Sequence, residues 1–230
     1  MYIPKSFMVV TPHPDDAELG CGGTISKWIS EGASGVLLVC TNGDKGSAES
    51  DMTSQKLSDI RVIEQKKAST VLGLKDVISF EYPDGELEDT KEFRERIVKN
   101  IRKYQPEVLL CTDPIRQNFY IHRDHRIAGQ VVLDAIYPYA RDRLYYPHHE
   151  KEGISTHKVK DILFWGSENP NELVNITEYI DTKIKALKQH SSQLSDIDAV
   201  GSRLKDSAVR AASSQDYQYG EAFRRITFRT

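Results

Sequence analysis

The segment Thr11-Pro-His-Pro-Asp-Asp-Ala-Glu18 packs one imidazole, His13, and two adjacent carboxylates, Asp15 and Asp16, into a few residues. Neighbouring carboxylates repel each other and are costly to hold together. A cation set between them and His13 removes that cost. Far downstream, His122-Arg-Asp-His125 supplies a second cluster of histidine and carboxylate. Together the two clusters read as one divalent-metal site with its own general base.

His122 and His125 stand three apart near a helix start, where such side chains share a face. One could bind metal while the other faces substrate. Counting ligands gives His13, Asp16 and His125, and an open fourth position for water makes this the pattern of a catalytic zinc site. Asp15, beside the metal but not on it, is placed to accept the water's proton. His122 would stabilise a developing oxyanion or protonate a leaving amine, with Asp124 holding its imidazole charged and oriented. The Tyr120 hydroxyl is a second candidate oxyanion donor.

Blander readings exist for each residue alone. Adjacent aspartates often cap helices through the first free N–H groups. His148, His149 and His157 read as solvent-exposed or substrate-shaping loop residues, and Cys21 as a small packed thiol. The string Gly20-Cys-Gly-Gly23 lacks dinucleotide-binding spacing. Two compact His/Asp groups at strand ends are harder to explain by capping.

The elements that must position these groups follow from the apolar pattern. Strand-like runs at 6–11, 35–40, 77–81 and 107–112 alternate with helical stretches at about 22–31, 54–72, 90–104 and 124–137. Gly73 is placed to stop the second helix. This alternation predicts βαβ units and a mostly parallel sheet covered on both faces. Ligands in such sheets gather beyond the carboxyl ends of strands. The first cluster, Thr41–Gly46 and the segment from Asp113 onward all follow strands and project to one edge. Residues 141–160 read as a long loop near the site, 161–165 as a strand, and 178–190 and 196–213 as helices.

The bulk numbers agree with a single domain spanning 1–230. Hydrophobic residues make up 39% and charged residues 28%, ordinary for a globular chain. With 31 basic and 34 acidic residues the formal charge is −3, so nucleic acid is not an expected partner. No apolar run reaches membrane-spanning length. Three cysteines, Cys21, Cys40 and Cys111, suit reduced thiols in a cytoplasmic protein.

Pro12-His-Pro-Asp-Asp16 followed by Glu18-Leu-Gly-Cys-Gly-Gly-Thr24 resembles the signature of the PIG-L/LmbE-like metal-dependent N-deacetylases. Similarity continues through Arg61-Val-Ile-Glu64, Leu72-Gly73, Pro83-Asp-Gly-Glu-Leu87, His122-Arg-Asp-His125, Lys183 to His190-Ser-Ser-Gln193, and Glu221-Ala-Phe223. The resemblance implies a Rossmann-like three-layer α/β/α fold, bound zinc or another divalent transition metal, and removal of an acetyl group from an N-acetylglucosamine-type sugar or conjugate. It also implies His13, Asp16 and His125 as ligands, Asp15 as base, and His122 with Asp124 as an assisting pair. Tyr120 matches a tyrosine that some members use near the oxyanion. Arg61 matches a basic position that in some members reaches the substrate, its other reading being an exposed helix pair with Glu64. Asp84, in the 84–88 segment, is expected on the substrate, with 44–52 and 139–158 also shaping specificity. Arg123 departs from the commonest residue there, proline. Assembly as a trimer or hexamer is implied as well.

Two other classes compete with a deacetylase. A metal phosphohydrolase also uses clustered Asp and His, but a two-metal site needs ligands for both ions. A non-catalytic sugar- or metal-binding module would not require a free base such as Asp15.

Overall fold

The computed structural model describes residues 2–118, 120–194 and 196–228. The expected span 1–230 includes Met1, Phe119, Ser195, Arg229 and Thr230, which lie outside the described residues. The parallel part of the sheet comes from β1 (Ser6–Thr11), β2 (Ser34–Thr41), β3 (Asp76–Tyr82), β4 (Val108–Thr112) and β5 (Asp161–Trp165). β1, β2, β4 and β5 are near-continuous apolar runs because both of their faces are covered, whereas β3, at the edge, is mostly half-buried. Two strands the sequence reading did not anticipate, β6 (Glu172–Asn175) and β7 (Gly220–Thr227), extend the sheet antiparallel beyond β5. The result is a 7-stranded sheet ordered β3-β2-β1-β4-β5-β7-β6.

One face is covered by α3 (Lys91–Tyr104) and α4 (Arg123–Asp134), whose Phe93, Ile97, Ile101, Val131 and Val132 pack on Met8, Val10, Leu38 and Leu109. The other face carries α1 (Asp16–Ser30), and Trp28 and Ile25 meet Phe7, Val9 and Leu37 there. α2 (Ser54–Leu72), α6 (Ile180–Leu187) and α7 (Ile197–Ala211) lie on that side too. Thr53 and Thr90 cap α2 and α3 by accepting from the N–H of Lys56 and Phe93. Gly73 ends α2 in the left-handed conformation, as expected.

Three boundaries differ from expectation. Helix α1 starts at Asp16 rather than 22, with a break at Cys21, because the carboxylates sit in its first turn, where a helix favours negative charge. Helix α4 passes into a π-helical segment, Ala135–Ala140, instead of stopping near 137. The loop expected near the site also contains a short helix, α5 (His148–Lys151), and is drawn elsewhere. Arg102 of α3 is 1% exposed and donates to the carbonyls of Tyr139, Ala140, Asp142, Tyr145 and Tyr146. Those five carbonyls anchor the loop to α3. All three cysteines are buried free thiols.

Candidate active site

The sheet order places β1 next to β4, and the chain winds away from that junction in opposite directions. At such a switch point the loops after adjacent strands part and leave a crevice. The loop after β1 brings His13, Asp15 and Asp16 to it. The segment after β4 brings His122, Asp124 and His125, the last two in the first turn of α4.

Three donor atoms converge there. Asp16 Oδ2 lies 3.0 Å from His13 Nδ1 and 3.1 Å from His125 Nε2. On its other nitrogen, His13 Nε2 faces Asp124 Oδ2 at 3.0 Å and Asp84 Oδ1 at 3.1 Å. Carboxylates only accept, so Nε2 carries the proton, and a neutral His13 turns the lone pair of Nδ1 toward Asp16. His125 is backed by a hydroxyl, with Nδ1 3.0 Å from Thr112 Oγ1, while its buried Nε2 has no hydrogen-bond partner among the described residues. Electron-rich atoms pointed at one another in a buried place require extra protons or a cation. Burial opposes charging His13, yet its bonds to Asp124, Asp16 and Asp84 push its pKa up to about 12. Burial likewise opposes ionising Asp16, but His125 and His13 hold its carboxyl far below the usual range. The donor set, two imidazoles and one carboxylate with a carboxylate behind one imidazole, suits a catalytic zinc ion.

Asp15 stands apart from that triad. Its backbone is left-handed, φ 90°, and its carboxylate meets Arg61 Nη2 at 3.1 Å. Burial first, and the Asp16 charge second, raise its pKa to about 7 against the pull of Arg61. His122 caps α4, its Nδ1 accepting the Asp124 N–H at 3.1 Å. That bond leaves the proton of the neutral ring on Nε2. Burial, then the field of His13, lowers the pKa of His122, so the ring is a neutral donor.

A cavity of about 550 Å³ opens beside these groups, with Asp15, Asp16, His125 and Tyr120 at one end. Trp165 lines it, and α7 supplies Leu204, Ala208 and Ala211. Gly20 is required at the turn of α1 facing it, since a Cβ there would lie 2.4 Å from the Trp165 ring.

The profile of a family described as PIG-L, GlcNAc-PI de-N-acetylase, matches residues 8–136, from β1 through both clusters. The chain belongs to the PIG-L family. Diacetylchitobiose deacetylase of Thermococcus kodakarensis is 32% identical over 189 residues, covering 82% of this chain and 70% of the relative. A probable N-acetyl-alpha-D-glucosaminyl L-malate deacetylase of Bacillus anthracis is 28% identical over 201 residues, covering 82% and 81%. The solved N,N'-diacetylchitobiose deacetylase of Pyrococcus horikoshii superposes with a TM-score of 0.91 at 27% identity, over 97% of this chain and 84% of that one.

Within this PIG-L site, several residues sit differently from expectation. The Asp124 carboxylate does not hold His122; it receives His13 Nε2 and the N–H groups of Gly85 and Leu87, because the loop after β3 folds over the start of α4. His122 is consequently not the charged, carboxylate-oriented imidazole foreseen. Asp84 lies behind His13 and outside the cavity lining. Arg61 is neither exposed nor paired with Glu64. It is 3% exposed and donates to Pro14 O, Gly43 O and Asp15, while Glu64 takes Ser191 and Ser192. Residues 139–158 line no part of the cavity. Tyr120 is at the mouth, its ring 5.0 Å from that of His125. Sequence reasoning missed Gln65, Arg116, Trp165 and the α7 wall. Arg61 and Gln65 are four apart on one helix face, and that spacing was the available signal for Gln65.

Proposed function

We propose that this chain is a zinc-dependent N-deacetylase that hydrolyses the N-acetyl group of an N-acetylglucosamine-type sugar or conjugate. The convergence of His13 Nδ1, Asp16 Oδ2 and His125 Nε2 beside the Arg61-paired carboxylate of Asp15 and an open cavity carries the reading. The activities named for the relatives support the substrate class, and they differ in what the sugar is joined to: a second sugar in one, malate in another. Zinc held by His13, Asp16 and His125 would supply Lewis acidity toward the acetyl group and the attacking water. Asp15 takes the proton from that water as it attacks the carbonyl carbon. His122 Nε2–H donates to the acetyl oxygen as negative charge develops there, with the Tyr120 hydroxyl as a second donor. Asp15 then returns its proton to the amine nitrogen as the C–N bond breaks, releasing acetate and the free amine.

Asp15→Asn should keep one metal ion per chain and lower acetate release by about 10²–10⁴-fold, the usual worth of a general base. Undiminished release from that variant would remove Asp15 from the role. A second donor group, His13, Asp84, His122 and Asp124, gives the two-metal phosphohydrolase reading its foothold among the described residues. Its atoms are already committed, since His13 Nε2 bonds Asp124 and His122 Nδ1 accepts a backbone N–H. Metal analysis finding two ions per chain would favour that reading.

A further inference from the structure

Asp15 occupies a backbone conformation that L-residues rarely adopt, and it does so at the N-cap of α1 without making a capping bond. Such geometry persists only where the surroundings over-determine it. Arg61 holds the carboxylate and the preceding carbonyl. The backbone N–H is held by a different residue, Gln65, whose Oε1 accepts it at 3.2 Å. Gln65 is 3% exposed, and its Nε2 donates to Glu18 Oε1 at 2.8 Å. A carboxylate only accepts and a backbone N–H only donates, so this amide has one orientation, its Nε2 also reaching Ser69 Oγ at 3.4 Å. Glu18 is fully buried; its other oxygen lies 3.5 Å from Nε2 of His190, an equally buried imidazole. One face of α2 thus grips the loop after β1 through Arg61 and Gln65, and through Glu64 it grips the Ser191-Ser192 turn beside His190.

We propose that Gln65 is a positioning residue for Asp15, oriented in turn by the buried Glu18–His190 pair. Its amide keeps the Asp15 backbone left-handed, so that the carboxylate stays beside the metal triad instead of swinging onto it or into a capping bond with α1. The proposal rests on Asp15 being the base, and the two are separable by experiment. An active Asp15→Asn variant removes the base assignment whatever Gln65 does.

Gln65→Leu removes the bonds to the Asp15 N–H and to Glu18, together with the long contact to Ser69, and the exchange Glu18→Gln with Gln65→Glu restores the first two in reverse. In the exchanged pair the amide at position 18 donates to the carboxylate at position 65, whose second oxygen accepts the Asp15 N–H. The measurements are kcat and KM for acetate release and bound metal per chain, in the full-length protein. Gln65→Leu should lose about 100-fold in kcat, the scale of an ångström-sized misplacement, with KM within about twofold and metal content unchanged. The exchanged pair should return to within about tenfold of the parent protein. A merely structural role would not give a kcat loss at constant KM and metal content, nor recovery on exchange. Wild-type turnover by Gln65→Leu overturns the proposal. Where that variant does not fold, the exchange decides: activity supports the proposal, while an inactive or unfolded exchange overturns it.

Discussion

His13 and His125 occupy similar places around Asp16 but are backed by different chemistry. His13 gives its one N–H, on Nε2, to the carboxylates of Asp124 and Asp84, whereas His125 meets the neutral hydroxyl of Thr112, which also accepts from Arg116. A carboxylate behind an imidazole fixes its tautomer and strengthens it as a ligand. Asp124→Asn should therefore weaken metal binding by about 10–100-fold, read by competition with a chromophoric chelator. Had Asp124 served His122, as its place in the motif suggested, the same variant would keep its metal affinity and lose turnover alone. That His13, Asp16 and His125 would converge was legible because few other uses explain a His-x-Asp-Asp run paired with a His-x-x-His run. Their partners were not, because the meeting of Asp124 with His13 depends on how loops from different strands fold over one another. Arg61 makes the same point: its match to a substrate-reaching position gave no sign of its burial against Pro14 and Gly43.

At the scale of elements, legibility followed apolar content. Strands β1 to β5 are mostly apolar runs bounded by turn or cap residues, and α2 and α3 begin at threonine caps, so their positions could be drawn from sequence. Strands β6 and β7 could not. β6 is short, and β7 carries Glu221, Arg224 and Arg225, whose charges disguise a strand. The structure shows where those charges go. Arg224 and Arg225 point to opposite faces and clamp Asp113, just past β4, and Asp161, at the start of β5. Burial works against ionised Asp161, but Arg225 and Thr227 outweigh it and hold its carboxyl below the usual value. A carboxylate depressed in the folded state contributes stability that is complete above its unfolded pKa, about 3.9, and is lost as pH falls through the folded value. Asp161→Asn should cost about 2–3 kcal/mol at pH 7 in urea unfolding. The gap from the parent protein should close as pH drops below about 4. A gap that stays constant on acidification would mean that packing, not charge, ties β5 to β7.

Considered as a whole, the molecule draws its candidate metal donors from both sides of the β1–β4 switch point, where residues 111 apart in sequence, His13 and Asp124, come within 3.0 Å. The unfolded chain cannot hold such a set together, so metal binding should add to folding stability. An ion at about 1,000 times its dissociation constant contributes about 4 kcal/mol. For a chain of this size each kcal/mol raises the melting temperature by about 2–4 °C, so zinc-loaded protein should melt about 8–16 °C above chelator-treated protein. His125→Ala should remove most of that shift. An equal shift in the variant would place the ion elsewhere, and Glu95, His148 and His149 form the other described donor cluster outside the crevice. That cluster is poorly suited to an ion, because Arg102 Nη1 donates to Nδ1 of His149 at 3.2 Å. The bond leaves the neutral His149 ring with its proton on Nε2, the atom that faces Glu95, so an ion there would have to displace it. The crevice has no such obstacle, since the proton of His13 is drawn to Asp124 and Asp84 on the side away from Asp16. Loss of the thermal shift in His125→Ala, with the shift retained when His149 is replaced, would assign the stabilising ion to the β1–β4 edge.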